Sequence, residues 1–365
     1  MRRRRTLAAT GGRRRMTRSF LTRCRRLGRV RALLSTLWTP LALLAIGSGW
    51  ATFEHYRHGP LGITSPRIIE IQPGDGFSAI TRSLQQQDIL DWRWPFIALA
   101  LFEGRTAQIR AGEYRLAPGL TPQGLLDQLV KGEILLHRVT LVEGWSAVQA
   151  RTALRQHPAI RPIPDLDMPN LMATLGAPDL SPEGQFFPDT YFFARGTTEL
   201  ALLRQAHERM QQELARAWAA RAPDLPLGTP YDLLILASLV EKETASADER
   251  AEIAGVFVRR LQQSMPLQTD PTVIFALGED FSGNLTREHL LRDHPYNTYR
   301  NRGLPPGPIA LVGRAALEAA AHPAPGRALY FVSRGDGTHV FSETLEAHNR
   351  AVACHQRRIC QGTPP

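Results

Sequence analysis

Thirteen arginines and no acidic residue in the first 31 positions run directly into 22 residues without a charge, Ala32–Phe53. No other feature restricts the fold of this 365-residue chain as sharply. As a helix, such a segment spans about 33 Å at ~1.5 Å per residue, enough for a bilayer's hydrocarbon core. Lipid offers no water to satisfy peptide groups, so a spanning segment has to be helical. Pro40, Gly47 and Gly49 are tolerated there, and Trp38 and Trp50 suit the two interfaces. A cleaved signal peptide is the competing reading, but the run is long for one and lacks an A-x-A site. The expectation is a single transmembrane helix at 32–53. By the positive-inside rule, tail 1–31 is cytoplasmic and everything after Glu54 lies outside.

The net charge of +10 belongs to that tail, because the remaining 31 basic residues face 34 acidic ones. A basic nucleic-acid-binding face is therefore not expected. The sequence has no CxxC, no HExxH and no EF-hand loop, and its 11 histidines are scattered, so neither metal nor cofactor is expected. An oxidising compartment would permit a disulfide between Cys354 and Cys360, although residues six apart on one continued helix face away from each other.

Residues 231–272 hold the chemistry. Leu236, Leu239, Val240 and Glu243 stand at i, i+3, i+4 and i+7, which puts a carboxylate in line with an apolar helical face. Glu241 falls about 160° away from that face. Ser246 and Glu249 have capping-box spacing, S-x-x-E, ahead of a second helix with Ile253, Val256, Phe257 and Leu261 on one side. The first helix must then stop near Thr244, with Glu243 in its last turn. The negative end of a helix and an apolar surround both disfavour the ionised carboxylate, so its pKa is expected to rise, as a general acid requires.

The rest of the chain reads as α+β. A linker, 54–67, leads to a strand at Ile68–Ile71 and a helix, and Val139–Val142 repeats that grammar. Gly76-Phe77-Ser78-Ala79-Ile80 matches Gly144-Trp145-Ser146-Ala147-Val148 position for position, which predicts a small pseudo-repeat within one subdomain, 68–157. Thr121-Pro122 is an N-cap and N1 pair opening a helix to about Lys131. The proline-rich stretch Leu154–Pro182 reads as an interdomain connection to a second α+β subdomain, 158–353, followed by tail 354–365. The aromatic run Gln185–Phe193 suits a core or a sugar cleft, and a structural helix is expected over Thr198–Ala222. Gln268 and Asp270, and Tyr296 and Asn297, place amide, carboxyl and phenol groups in two loops, which suits a polar substrate. A hairpin is expected from Leu329–Val332 and His339–Phe341.

The string ILASLVEKETA, with IAGVFVRRL and LQTDPTVIFALG after it, resembles the signature of the endolytic murein transglycosylases, the YceG-like family. EGQFFPDTYFF, YNTY, GLPPGPI and AAAHPA fit as well, and the resemblance covers roughly residues 68–352. It implies a membrane-anchored lytic transglycosylase with Glu243 as the catalytic acid and Gln268, Asp270, Tyr296 and Asn297 positioning sugar. It further implies a LysM-like first subdomain and a YceG-like catalytic one. The implied partners are peptidoglycan strands, the inner membrane and peptidoglycan synthases of the elongation or division machinery. The implied reaction cuts MurNAc–GlcNAc β-1,4 bonds within nascent strands and leaves 1,6-anhydroMurNAc ends. Two other readings stay open: a lysozyme-like hydrolase in which Asp270 activates water, and a non-catalytic glycan-binding scaffold.

The charge asymmetry makes a topology prediction. A reporter active only outside the cytoplasm should work when fused after Pro365 and fail when fused before Arg2. Release of a soluble mature protein would make 32–53 a signal peptide instead.

Overall fold

Residues 19–356 except 165 are described by the computed structural model, with side chains from residue 39 onward apart from that of Pro169. They form two compact units that divide after Ile134. Both are α+β.

The first unit begins with helix α1, Ser19–His58. Strands β1 (Arg67–Ile71) and β2 (Gly112–Leu116) pair antiparallel, with Ile69 opposite Tyr114. Helices α2 (Phe77–Gln86), α3 (Arg93–Phe102) and α4 (Pro122–Lys131) pack with them. Thr121 caps α4, accepting a 3.0 Å hydrogen bond from the Gly124 amide. Leu84, Phe96, Leu99, Tyr114, Leu116 and Leu125 are fully buried. The Tyr114 hydroxyl donates to the Arg110 carbonyl at 2.6 Å, so the core phenol is satisfied.

The second unit is larger. Strand β3 (Leu136–Thr140) pairs antiparallel with β4 (Thr190–Ala194), and between them lie α5 (Ala147–Gln156) and α6 (Met168–Thr174). Helix α7, Glu199–Ala220, starts at its Thr198 cap and buries Leu203, His207, Met210 and Leu214. Next come α8 (Pro230–Glu243), α9 (Arg250–Gln262), α10 (Asp270–Leu277), α11 (Arg287–Leu291) and α12 (Arg314–Ala321). The hairpin β5 (Tyr330–Ser333) and β6 (His339–Ser342) and then α13 (Leu345–His355) close the described chain. Every residue from Leu233 to Val240 is buried, which makes α8 the central helix, walled by α7, α9, α10 and α12.

Several expectations change. The two similar strand–turn–helix segments do not share a subdomain: β1 finds β2, whereas β3 finds β4, fifty residues further on. The boundary therefore falls after 134 rather than near 157. Residues 154–182 are not a connection, because Ala159, Ile160, Leu166, Leu171 and Met172 fill the core beside β3 and β4. The prolines there punctuate turns between buried apolar groups. In the aromatic run Phe186, Phe187, Tyr191 and Phe193 are buried, so it builds core. The Ser246–Glu249 capping box does not form: α9 starts at Arg250, and Glu249 accepts instead from the His339 amide and ring, both at 2.8 Å. Helix α13 ends at His355; Cys354 is disulfide-bonded, and a pairing with Cys360 falls on a residue outside the described ones. Among the described residues no helix is long and apolar enough to cross a membrane. The expected span at 32–53 begins where side chains are outside the described set.

Gly255 tests the packing of α9. A Cβ there would lie 2.5 Å from the Ala324 carbonyl oxygen and 2.8 Å from the Arg259 guanidinium. Alanine gains up to ~1 kcal/mol over glycine inside a helix, but overpacking against fixed backbone costs about 1–3 kcal/mol. Gly255→Ala should lower the midpoint of urea unfolding; a raised midpoint would mean the close approach relaxes freely.

Candidate active site

Helix α8 is fixed at both ends. Thr229 and Asp232 form a capping box with Pro230 at the first position, all favourable at a helix start. At the other end Thr244 turns extended (φ −145°, ψ 138°), and its hydroxyl accepts from the Ser246 amide at 3.0 Å. Glu243 is thus the last helical residue, as its position in the sequence predicts.

The residue is half-buried and its carboxyl is desolvated. Burial pushes its pKa from 4.5 up to about 7, and the charge of Asp270 adds to the rise. A hydrogen bond from Thr269 and the positive charges of His339 and Arg260 oppose it. Thr269 occupies the N-cap position of α10, yet its hydroxyl donates to Glu243 Oε1 and makes no cap bond. Its carbonyl instead accepts from the Thr272 hydroxyl at 2.7 Å, and its amide donates to Thr298 Oγ1 at 3.1 Å. Thr272 and Thr298 hydroxyls meet at 2.9 Å. A chain of three threonines therefore fixes the group that touches the acid.

The loop before Thr269 is held from below by Arg260. Its guanidinium donates to the carbonyls of Pro266 (3.2 Å), Leu267 (2.8 Å) and Leu329 (2.7 Å). Gln268 has a left-handed backbone (φ 50°), unusual for a residue with a side chain, and its amide donates to the Thr298 carbonyl at 3.1 Å. Leu267 and Thr269 on either side are buried while Gln268 is exposed, so the strained conformation turns the amide side chain outward.

Asp270 is exposed and accepts from the Tyr299 hydroxyl at 2.5 Å. Burial, together with that bond and the charges of Asp270 and Glu243, raises the pKa of Tyr299. Tyr296 is half-buried, 4.9 Å from the Phe275 ring. Its hydroxyl and that of Tyr231 crowd Gly307, where an added Cβ would come within 2.8 and 3.0 Å of them. Asn297 departs from its expected role. It is 1 % exposed, its amide nitrogen donates to the Leu290 and Arg292 carbonyls, and its oxygen accepts from the Tyr299 amide. All of that holds the loop that presents Tyr296 and Tyr299 and leaves the side chain no surface for sugar.

Two other carboxyls belong to this region. Glu241 points to another face, where it accepts a 2.9 Å bond from the Gly313 amide at the start of α12; burial raises its pKa. Glu183 is buried, accepts from the Ala147 amide at 3.1 and 3.2 Å, and is pushed up to about 7, mainly by burial. Sequence reasoning singled out Glu243 but passed over Thr298, Tyr299, Arg260, His339 and Glu183. Thr298, Tyr299, Arg260 and Glu183 lie inside quoted motifs, and His339 opens a strand of the expected hairpin, but none of those patterns assigns them a role in the site. Among the described residues no group of His, Cys, Asp and Glu could hold a metal ion.

Comparison with known proteins places this geometry in context. Residues 69–354 match the YceG-like family. The endolytic murein transglycosylase of Bacillus subtilis is 32% identical over 301 residues, covering 78% of this chain and 83% of that one. That of Streptococcus pneumoniae serotype 2 is 28% identical, covering 89% of this chain and 65% of its own length. A crystal structure of a YceG-like protein from Listeria monocytogenes superposes with a TM-score of 0.51 at 29% identity, over 79% of this chain and 99% of that one.

The raised pKa has a signed consequence for stability. The folded state holds the Glu243 and Glu183 protons to about pH 7, whereas unfolded carboxyls lose theirs near 4.5. The stability they contribute is complete below about 4.5 and is lost as pH rises through about 7. For Glu243 this amounts to on the order of 3 kcal/mol. Glu243→Gln has no such proton, so it should gain on the wild type in urea unfolding as pH rises from about 4 to about 8. Parallel curves would mean the carboxyl is not desolvated.

Proposed function

The chain belongs to the YceG-like family, and from that premise we propose that it is a membrane-anchored endolytic transglycosylase that cuts peptidoglycan strands. The observation that carries the reading is Glu243, a desolvated carboxyl with its pKa at about 7, presented at the end of a buried helix. A group that is half protonated near neutral pH can both give and take a proton there.

The proposed reaction uses that carboxyl twice. Protonated Glu243 donates to the glycosidic oxygen of the MurNAc–GlcNAc β-1,4 bond as the C1–O bond breaks. As carboxylate it then takes the proton of the C6 hydroxyl, whose oxygen closes on C1 to give the 1,6-anhydro ring. The proton returns to Glu243 and no water is consumed. The Thr269 hydroxyl orients the carboxyl and supports the charge it acquires after donation. Gln268, Tyr296 and Asp270, with Tyr299 beside it, are positioned to meet sugar hydroxyls. The anchor is residues 32–53, with the catalytic unit in the periplasm. The first unit acts as a LysM-like glycan contact, and synthases of the elongation or division machinery supply the nascent strand.

A specific observation favours a second reading, hydrolysis: Asp270 lies close enough for its charge to act on Glu243. A hydrolase would use it to activate water. The products decide. Mass spectrometry of digested sacculi should find anhydro ends, and reducing MurNAc ends would establish hydrolysis. Glu243→Gln should lower turnover by ~10²–10⁴, while Glu241→Gln, which disturbs only a cap on α12, should keep most of it. The rate should fall on the alkaline side through about 7, without an acid limb that disappears in Asp270→Asn.

A further inference from the structure

Helix α3 is apolar on two opposite sides. Phe96, Leu99 and Ala100 are buried in the first unit's core. On the other side Trp94, Ala98 and Leu101 stand at i, i+4 and i+7, with Phe102 beside them, and all four are exposed. Trp94 is 54% exposed, Leu101 64% and Phe102 66%. After Arg93 the helix carries no charge over its remaining nine residues. A helix apolar all round is one that water does not surround on its outer side.

What covers that side can be read from α1. Leu41, Leu43, Leu44, Ile46 and Trp50 of α1 are themselves large, apolar and exposed. The Trp50 ring lies 5.8 Å from that of Phe102, and Phe53 lies 6.5 Å from it. The exposed apolar surface of α1 and the outer face of α3 therefore join at Phe102, and one medium has to cover both. Arg93 lies 4.9 Å over the Trp94 ring, a cation beside an aromatic group at the rim of an apolar stripe. That pairing suits the headgroup layer, where aromatic rings and basic groups sit side by side.

We propose that the outer face of α3 lies in the lipid–water interface, as an in-plane membrane contact beside the anchor. The proposal rests on the reading of 32–53 as that anchor. A single spanning helix leaves the first unit free to tilt. A second contact along the ~15 Å length of α3 removes that freedom.

The test uses the full chain in vesicles of phosphatidylethanolamine and phosphatidylglycerol, with Cys24 replaced by Ser and the disulfide at Cys354 left oxidised. An NBD fluorophore is attached at Leu101→Cys, at Leu44→Cys on α1, or at Arg115→Cys on the exposed side of β2. The label at 101 should shift to the blue and be quenched about two-fold by lipids carrying a nitroxide near the headgroup, and that at 44 by lipids carrying it deep in the acyl chain, with that at 115 unaffected by either. Quenching at 44 but not at 101 would sink the α3 contact and leave the anchor standing. Quenching at neither would remove the anchor reading and this proposal with it. A blue shift at 101 without quenching would mean that protein, such as a second copy of the chain, covers the stripe.

Discussion

A carboxyl cannot be taken out of water without either a proton of its own or donors to replace the solvent, and Glu243 has little of the second. Among the described residues one hydroxyl, that of Thr269, reaches it. The catalytic unit is built around keeping that single contact in place. Helix α8 delivers the acid at a fixed height, because eight consecutive buried residues, Leu233–Val240, lock its position against four neighbouring helices. Burial of leucine-sized side chains contributes roughly 1.5–3 kcal/mol each, so a shift of α8 along its axis would cost far more than one hydrogen bond could return. Thr269 is placed just as firmly by Thr272 and Thr298, and it gives up the cap of α10 to serve Glu243.

The same balance sets the acid's strength. Burial and Asp270 drive the pKa upward, while Thr269, His339 and Arg260 hold it back, so it settles at about 7. Neither group is loose on the surface. Arg260 is buried and spends its donors on three carbonyls, and His339 is paired with Glu249. Arg260 thus does two jobs: it lowers the cost of ionising Glu243 and ties down the chain that leads into Gln268. Holding a left-handed backbone at a residue with a Cβ costs on the order of 1–3 kcal/mol, which the bonds to Leu267 and Thr298 offset.

The place of Glu243 was legible in the sequence because one local rule sufficed: helical spacing put it on the apolar face, and the stop near Thr244 put it at the helix end. The separate role of Glu241 followed from the same 3.6-residue period, and the structure gives it Gly313 as partner. Helix α4 was legible through its cap, Thr121, and α7 falls within the helix expected over Thr198–Ala222. What failed was long-range. Glu249 has the spacing of a local cap, but a histidine ninety residues away offers two donors where Ser246 offers one, and the local motif loses. The matched strand–turn–helix segments failed for the same reason, since strand pairing is decided by partners and not by the strand's own pattern. Asn297 read as a sugar ligand from its chemistry alone. Its burial, which no spacing reveals, turns it into the brace of its loop.

Asp270 is where chemistry and geometry have to be weighed against each other. In a two-carboxylate glycosidase the second group attacks the sugar or activates a water, so it must stand free to reach C1 or a water molecule. Here the Tyr299 hydroxyl occupies one oxygen of Asp270 at 2.5 Å, and Tyr299 is itself fixed through its amide to the braced Asn297. A carboxylate held this way still acts through its charge. It helps burial raise the pKa of Glu243, and in the proposed reaction it would favour the positive charge that develops at the sugar as the glycosidic bond breaks. Both effects serve a reaction in which one carboxyl moves the proton twice, and neither requires Asp270 to touch a water. The arrangement of Tyr299, Asp270, Thr269 and Glu243 is therefore explained more fully by intramolecular ring closure than by hydrolysis.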